Sequence, residues 1–166
     1  LVRYEEGLGT VRRIHPEKTV LEGQFLDGIG HVYYAQGRLE DSLAWHHKAY
    51  RIYRKTLGAE CAEVGIVKCS TAAVLQRQGK LEEAMEKYEE GLTIQRRAFG
   101  DEHSAVAQSL YNMAACKDQA GDVEGAAVCL REAQSIYRMR GISHGRAVEV
   151  DDELERLDAL IADEST

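Results

Sequence analysis

Apolar residues recur at spacings of three and four along most of this chain. In the first segment Tyr4, Leu8 and Val11 fall on one face of a helix, and the same spacing continues through Leu26, Ile29 and later positions. The pattern predicts a series of amphipathic helices. Their bounds are about 1–14, 17–36, 39–57, 62–77, 81–99, 104–119, 123–139 and 144–162.

Glycine separates the predicted helices at a fixed interval. Gly37, Gly79 and Gly121 lie 42 residues apart, and each falls between two helices. Glycine adopts the left-handed conformation that ends a helix, so these residues predict tight turns within helix pairs. The predicted units of one repeat domain spanning 1–166 are a half repeat at 1–14, repeats at 17–58, 61–100 and 103–141, and a last helix at 144–162.

The last helix differs from the others in its charge. Val148, Leu154 and Leu157 lie on one face, and acidic residues cover most of the rest. Residues 143–166 carry a net charge of −6 out of −7 for the whole chain. This pattern indicates a solvated cap on the end of a stacked array. An acidic docking tail is the alternative interpretation.

Several motifs of the units resemble those of tetratricopeptide repeats. Leu26, Ile29-Gly30 and Tyr33 match the large, large-small and large pattern of the first helix, and Gly37 matches the turn. The 42-residue spacing, with Phe99-Gly100 after the second helix, is similar to the long variety found in kinesin light chains. The resemblance implies an all-α solenoid, a right-handed superhelix of antiparallel helix pairs with a C-terminal capping helix. Ser42 and His46 depart from the family, which has alanine and an aromatic residue there.

The family resemblance also implies a binding surface. In the family, the first helices of the pairs line an inner groove that binds an extended peptide or a helix of a partner protein. The residues at the groove positions of the first helices also lie off the packing face by helical spacing, so we expect their side chains to be exposed. The groove positions carry over to Gln24, Asp27, Gly28, His31, Tyr34 and Ala35, then to Ile66, Cys69, Ser70, Ala73, Gln76 and Arg77, and then to Gln108, Tyr111, Asn112, Ala115, Asp118 and Gln119.

Composition and charge narrow the classes of partner. Outside residues 143–166 the chain carries a net charge of only −1, which argues against nucleic acid because phosphate binding needs a basic surface. The apolar runs fall far short of the roughly 20 residues that cross a bilayer, so no membrane partner is expected. The four cysteines have neither zinc nor disulfide spacing, which favours a reducing, cytoplasmic compartment. Because Leu1 falls inside a repeat, we expect a longer multidomain parent chain.

Candidate chemistry is sparse. His46-His47 lacks a third and fourth ligand for a metal, and Cys69-Ser70 lacks both a nucleophile elbow and a positioned base. We therefore expect no catalytic residue, metal or cofactor. His31 is either a pH-sensitive contact or a solvated side chain. A column of bases at the ends of the second helices either complements the helix dipoles or forms a second contact surface: Arg12, Arg13, Arg54, Lys55, Arg96, Arg97, Arg138 and Arg140.

These expectations favour a non-catalytic protein-interaction scaffold that holds a peptide or a helix in the groove. The alternative is a sensing or oligomerising repeat module of a larger signalling protein, such as a nucleotide-switch ATPase.

Overall fold

The computed structural model describes residues 1–14 and 19–164. Within these residues the chain forms eight α-helices and no strand. They are α1 (Val2–Ile14), α2 (Val20–Ala35), α3 (Leu39–Thr56), α4 (Ala62–Arg77), α5 (Leu81–Phe99), α6 (Ser104–Gln119), α7 (Val123–Met139) and α8 (Arg146–Glu164). The predicted fold class, an all-α solenoid of helix pairs, is confirmed.

Two helices differ from their predicted bounds by two or more residues, α2 at its start and α8 at both of its ends. The helix predicted from Glu17 begins at Val20, where the Thr19 hydroxyl oxygen accepts a hydrogen bond from the backbone N–H of Glu22 at 3.2 Å. The last helix begins at Arg146, two residues later than predicted. The predicted break at His15-Pro16 lies outside the described residues.

The same glycine turn joins the two helices of each pair. After α4, the Gly79 N–H donates to the Gln76 carbonyl at 2.9 Å, and the Lys80 N–H donates to the Leu75 carbonyl at 3.0 Å. This pair of bonds requires the left-handed backbone at Gly79, whose φ is +78°. The equivalent bonds recur at Gly37 and Gly121, so the turn is a structural constant of the array.

Neighbouring helix pairs pack their apolar faces against each other. Ile29 of α2 and Ile52 of α3 belong to the same buried cluster as Val64 of α4 and Ile94 of α5. Within the next pair, Tyr88 of α5 is fully buried and packs with Leu75 of α4. Each pair therefore completes the core of its neighbour, as expected for a solenoid.

The final helix α8 closes this core at one end. Val150, Leu154 and Leu157 are buried in the cluster that includes α6 and α7. Arg156 binds Asp118 of α6 at 2.6 Å and anchors α8 from its polar side. The acidic residues that cover much of the remaining surface suit a helix with one apolar face and one solvated face.

The turn glycine can be tested with a matched helical glycine. We expect Gly79→Ala to lower the free energy of unfolding by about 1–2 kcal/mol, because the left-handed conformation strains a side chain with a Cβ. We expect Gly9→Ala to raise it by about 0.5–1 kcal/mol, since Gly9 lies inside α1 with no atom near an added Cβ. Urea denaturation followed by circular dichroism measures both. Equal effects of the two substitutions would contradict the role of the turn.

Candidate functional site

A concave cavity of about 800 Å³ runs along the first helices of the three pairs, α2, α4 and α6. Its floor includes side chains from the second helices α3 and α5, and Arg146 of α8 lies at one end. We call this cavity the groove. Its lining residues are His31, Tyr34, His46, Ile66, Cys69, Ser70, Ala73, Gln76, Arg77, Tyr88, Gln95, Ala105, Gln108, Ser109, Asn112, Ala115, Gln119 and Arg146.

Most of the predicted groove residues lie together around this cavity. From the predicted set the lining includes His31, Tyr34, Ile66, Cys69, Ser70, Ala73, Gln76, Arg77, Gln108, Asn112, Ala115 and Gln119. Their binding role remains a prediction.

The other predicted residues lie elsewhere. Gln24 and Ala35 are exposed on α2 away from the cavity, and Gly28 lies under the ring of Tyr4. Tyr111 is half-buried beneath the guanidinium of Arg146, 4.6 Å from its ring centroid. Asp27 lies 2.7 Å from His46 and 3.5 Å from His31, and Asp118 forms an ion pair with Arg156 at 2.6 Å. Both carboxylates are therefore already bound by side chains of this chain, and neither belongs to the lining of the groove.

Cys69 departs from its predicted exposure. Its side chain is only 6% exposed, because the α4 backbone directs it toward α5, where the Gln95 side-chain amide lies 3.6 Å from its sulfur. Burial raises the pKa of the Cys69 thiol to about 11. A thiol with that pKa is protonated at neutral pH and is a poor nucleophile.

Ser70 shows no arrangement for nucleophilic catalysis either. Its hydroxyl lies 3.5 Å from Nε2 of His31 and donates to the Ile66 carbonyl at 3.2 Å. The same Nε2 atom lies 3.5 Å from Asp27. A triad needs the acid and the nucleophile on opposite nitrogens of the ring, so this geometry does not relay a proton.

A buried polar cluster underlies the groove at α2 and α3. The Nδ1 atom of His46, a residue with no exposed surface, lies 2.7 Å from Oδ1 of Asp27, and His31 approaches the other carboxylate oxygen. Burial alone would raise the pKa of Asp27, but the hydrogen bonds to His31 and His46 outweigh it and lower this pKa to about 2. In return, the hydrogen bond to Asp27 raises the pKa of His31. The cluster thus holds an ionised carboxylate at the groove.

The sequence of this chain matches a known repeat family. A family model for the tetratricopeptide repeat matches residues 23–96 and 67–139, which together span most of the chain. The chain belongs to the tetratricopeptide repeat family. A comparison with curated proteins found no match.

Solved structures share the tetratricopeptide fold with this chain. BtubC (BKLC) from P. vanneervenii is 20% identical, with a TM-score of 0.70 over 96% of this chain and 72% of its own. A kinesin-light-chain-type protein of Podosopora anserina with nearly identical TPR-like repeats is 19% identical, with a TM-score of 0.72 over 98% of this chain and 77% of its own.

The apo form of RapI is also 19% identical, with a TM-score of 0.78 over 96% of this chain. The chain spans only 43% of RapI. At these identities the likeness concerns the fold.

The groove also contains residues that the family pattern did not predict. His46, Tyr88 and Gln95 belong to the second helices, which the family pattern treats as packing elements. Ala105, Ser109 and Arg146 also line the groove.

For two of these residues, His46 and Gln95, the sequence contained a clue: each differs from the residues 42 positions before or after it. His46 is in phase with Tyr88 and Leu130, and Gln95 is in phase with Tyr53 and Tyr137. A histidine or a glutamine at a position that elsewhere in this tetratricopeptide array is tyrosine or leucine indicates a local polar contact.

Half of the base column, outside the groove, is held in ion pairs. The base column binds acids of neighbouring helices and loops through Arg12–Glu22 at 2.8 Å, Arg96–Glu132 at 2.7 Å, Arg97–Glu60 at 2.9 Å and Arg138–Asp151 at 3.8 Å. Within the described ranges, the other four bases of the column, Arg13, Arg54, Lys55 and Arg140, have no ion pair, and Arg140 donates to the Glu102 carbonyl at 3.4 Å. A second contact surface on this column remains a prediction.

The described residues contain no group of three or more histidine, cysteine or acidic side chains placed to hold a metal ion. No helix in these ranges combines the length and apolar character that crossing a bilayer requires.

The Asp27 cluster predicts a pH dependence of stability. Because the pKa of Asp27 is lower in the folded chain than its ordinary value of 3.8, its charge stabilises the fold above pH 4 and this contribution is lost as pH falls toward 2. We expect Asp27→Asn to lower the free energy of unfolding by about 2 kcal/mol at pH 7 and by much less near pH 2.

Urea denaturation of both proteins from pH 7 to pH 2 measures this difference. Asp152→Asn, at an exposed position of α8, serves as the control and should stay within about 0.5 kcal/mol of the parent chain. A gap between Asp27→Asn and the parent chain that persists at pH 2 would exclude the ionised cluster.

Proposed function

We propose that this chain is a non-catalytic protein-interaction module that binds an extended peptide or a helix of a partner protein in the groove. The observation that carries the proposal is the single cavity shared by α2, α4 and α6. A site that continues from one helix pair to the next suits an elongated ligand, which can contact each pair in turn. Membership of the tetratricopeptide repeat family supports the same general role.

The lining suits a polypeptide ligand. The small side chains of Ala73 and Ala115 leave space, and the amides of Gln76, Gln108 and Asn112 supply donors and acceptors. A polypeptide presents both kinds of group along its backbone and needs both kinds of partner.

Bonds between pairs hold the lining in place. Gln76 of α4 donates to Gln119 of α6 at 3.4 Å, and Arg77 of α4 donates to the Tyr34 carbonyl of α2 at 2.6 Å. Such preorganisation lowers the entropy cost of binding.

The groove can be blocked without changing the core. We expect Ala73→Trp and Ala115→Trp to weaken binding of a peptide selected by display on the full chain at least tenfold, because an indole would occupy the cavity. Ala98→Trp adds the same side chain at an exposed position of α5 outside the cavity and should leave affinity unchanged. Fluorescence anisotropy measures the affinities, and circular dichroism checks the fold of each variant.

The outcomes separate the proposal from its alternative. Equal binding by the two groove variants and the parent chain would show that the peptide binds elsewhere. Light scattering on the same samples tests the oligomerising role: a chain that self-associates through the groove should become monomeric in both groove variants.

A further inference from the structure

Two buried polar atoms beside the groove lack a partner. Among the described residues, three buried side-chain nitrogen or oxygen atoms have no hydrogen bond: Nε2 of His46 and the Oε1 atoms of Gln78 and Gln95. His46 and Gln95 both line the groove, whereas Gln78 does not. Because an unpaired buried polar atom is destabilising, two of them on one cavity indicate a ligand that pairs them.

The free atom of His46 is a hydrogen-bond acceptor when the ring is neutral. Asp27 is ionised, so its oxygen can only accept, and Nδ1–H of His46 must donate across the 2.7 Å contact. The neutral ring then carries a lone pair at Nε2. The ring of His31 stands edge-on to His46 with 5.0 Å between centroids and leaves that atom unpaired.

The fold makes room for an imidazole at this position. A Cβ at Gly30 would lie 2.7–2.9 Å from three atoms of the His46 ring, so only glycine admits it. The corresponding pairs of the other repeats are Ala72 with Tyr88 and Ala114 with Leu130. The combination of Gly30 and His46 therefore places a polar ring where the rest of the array places an apolar contact.

Gln95 supplies a second acceptor. Its side chain is 2% exposed, its Nε2 atom lies 3.6 Å from the Cys69 sulfur, and its Oε1 atom has no partner. Given this tautomer of His46, no buried side-chain nitrogen or oxygen in the described part of the chain is an unpaired donor. Both unpaired atoms in the groove, His46 Nε2 and Gln95 Oε1, are therefore acceptors that need a hydrogen-bond donor.

We propose that the floor of the groove binds side chains of the partner that end in N–H donors, a primary amide or an ammonium group, with His46 Nε2 and Gln95 Oε1 as acceptors. This inference rests on the proposed function, in which a peptide occupies the groove. A side chain must be long to reach atoms this deep, which suits glutamine and lysine. The ionised Asp27 beside His46 disfavours a carboxylate or phosphate there.

Small probes test the donor requirement on the full chain. Acetamide and methylammonium carry N–H donors, whereas N,N-dimethylacetamide and tetramethylammonium do not. At pH 8, NMR of the full chain labelled with ¹⁵N-histidine follows the Nε2 resonance of His46. We expect the probes with donors to shift this resonance in the direction of an accepted hydrogen bond and the donor-free probes to leave it unchanged.

The His47 resonance serves as the internal control, because His47 adjoins His46 in sequence but lies outside the groove. A response to acetamide alone would assign the site to a neutral amide, and a response to methylammonium alone would assign it to an ammonium. Equal shifts with and without donors, or no shift with any probe, would overturn the inference.

A pair of variants tests the second acceptor. Gln95→Met keeps the length of the side chain and removes Oε1, so we expect it to weaken acetamide binding about five- to tenfold, as the loss of one hydrogen bond does. Gln134→Met makes the same change outside the groove and should leave binding unchanged. Unchanged binding by Gln95→Met would exclude Gln95 as an acceptor.

These results are separable from those for the proposed function. If the tryptophan variants abolish peptide binding but no probe responds at His46, the peptide groove stands and the donor site fails. If the probes respond as expected but the tryptophan variants bind peptide normally, the floor is a small-molecule site and the peptide role fails.

Discussion

The burial of each helix pair against the next is the interaction on which the rest of this structure depends. A pair joined by a short turn has apolar residues on more sides than its own two helices can cover, and the shared cluster of Ile29, Ile52, Val64 and Ile94 shows how neighbours complete it. The glycine turns make this stacking regular, because the same two hydrogen bonds set the same connection in each pair. Regular stacking in turn aligns α2, α4 and α6 along one cavity.

The polar cluster under the groove is a local variation on this packing. Ser42 stands where the array otherwise has alanine, and its hydroxyl donates to the Gly30 carbonyl at 2.8 Å. His46 stands at an aromatic position and binds Asp27. Buried polar groups of this kind stabilise a fold only when they are paired, and one acceptor of His46 is left over on the side of the groove. The departure from apolar packing therefore links the core of the first pair to the proposed ligand site.

The two kinds of helix contribute differently to that site. The first helices supply side chains at the rim and along the walls, with polar contacts such as Gln76–Gln119 between pairs. The second helices supply the deeper residues His46, Tyr88 and Gln95. A ligand that binds only at the rim would contact exposed side chains that can change conformation. A ligand that reaches the floor meets side chains whose positions the core already fixes, and such contacts give specificity.

The sequence by itself determined the helices, the repeat and the family. These features depend on local rules: apolar spacing marks a helix, and a glycine every 42 residues marks the same turn, so the fold class and nearly all helix bounds could be predicted. The groove positions came from the resemblance to the family and agree with helical spacing, and residues such as Ala73 and Asn112 line the cavity.

Only the tertiary structure decided which of these side chains are free. Asp118 is bound by Arg156, 38 residues away, Cys69 turns into the core beside Gln95, and His46 shares Asp27 with His31. Each of these contacts joins residues that are distant in the chain, and the spacing within a single helix carries no information about them. Helical periodicity gives the direction of a side chain, whereas its partner depends on how neighbouring helices stack.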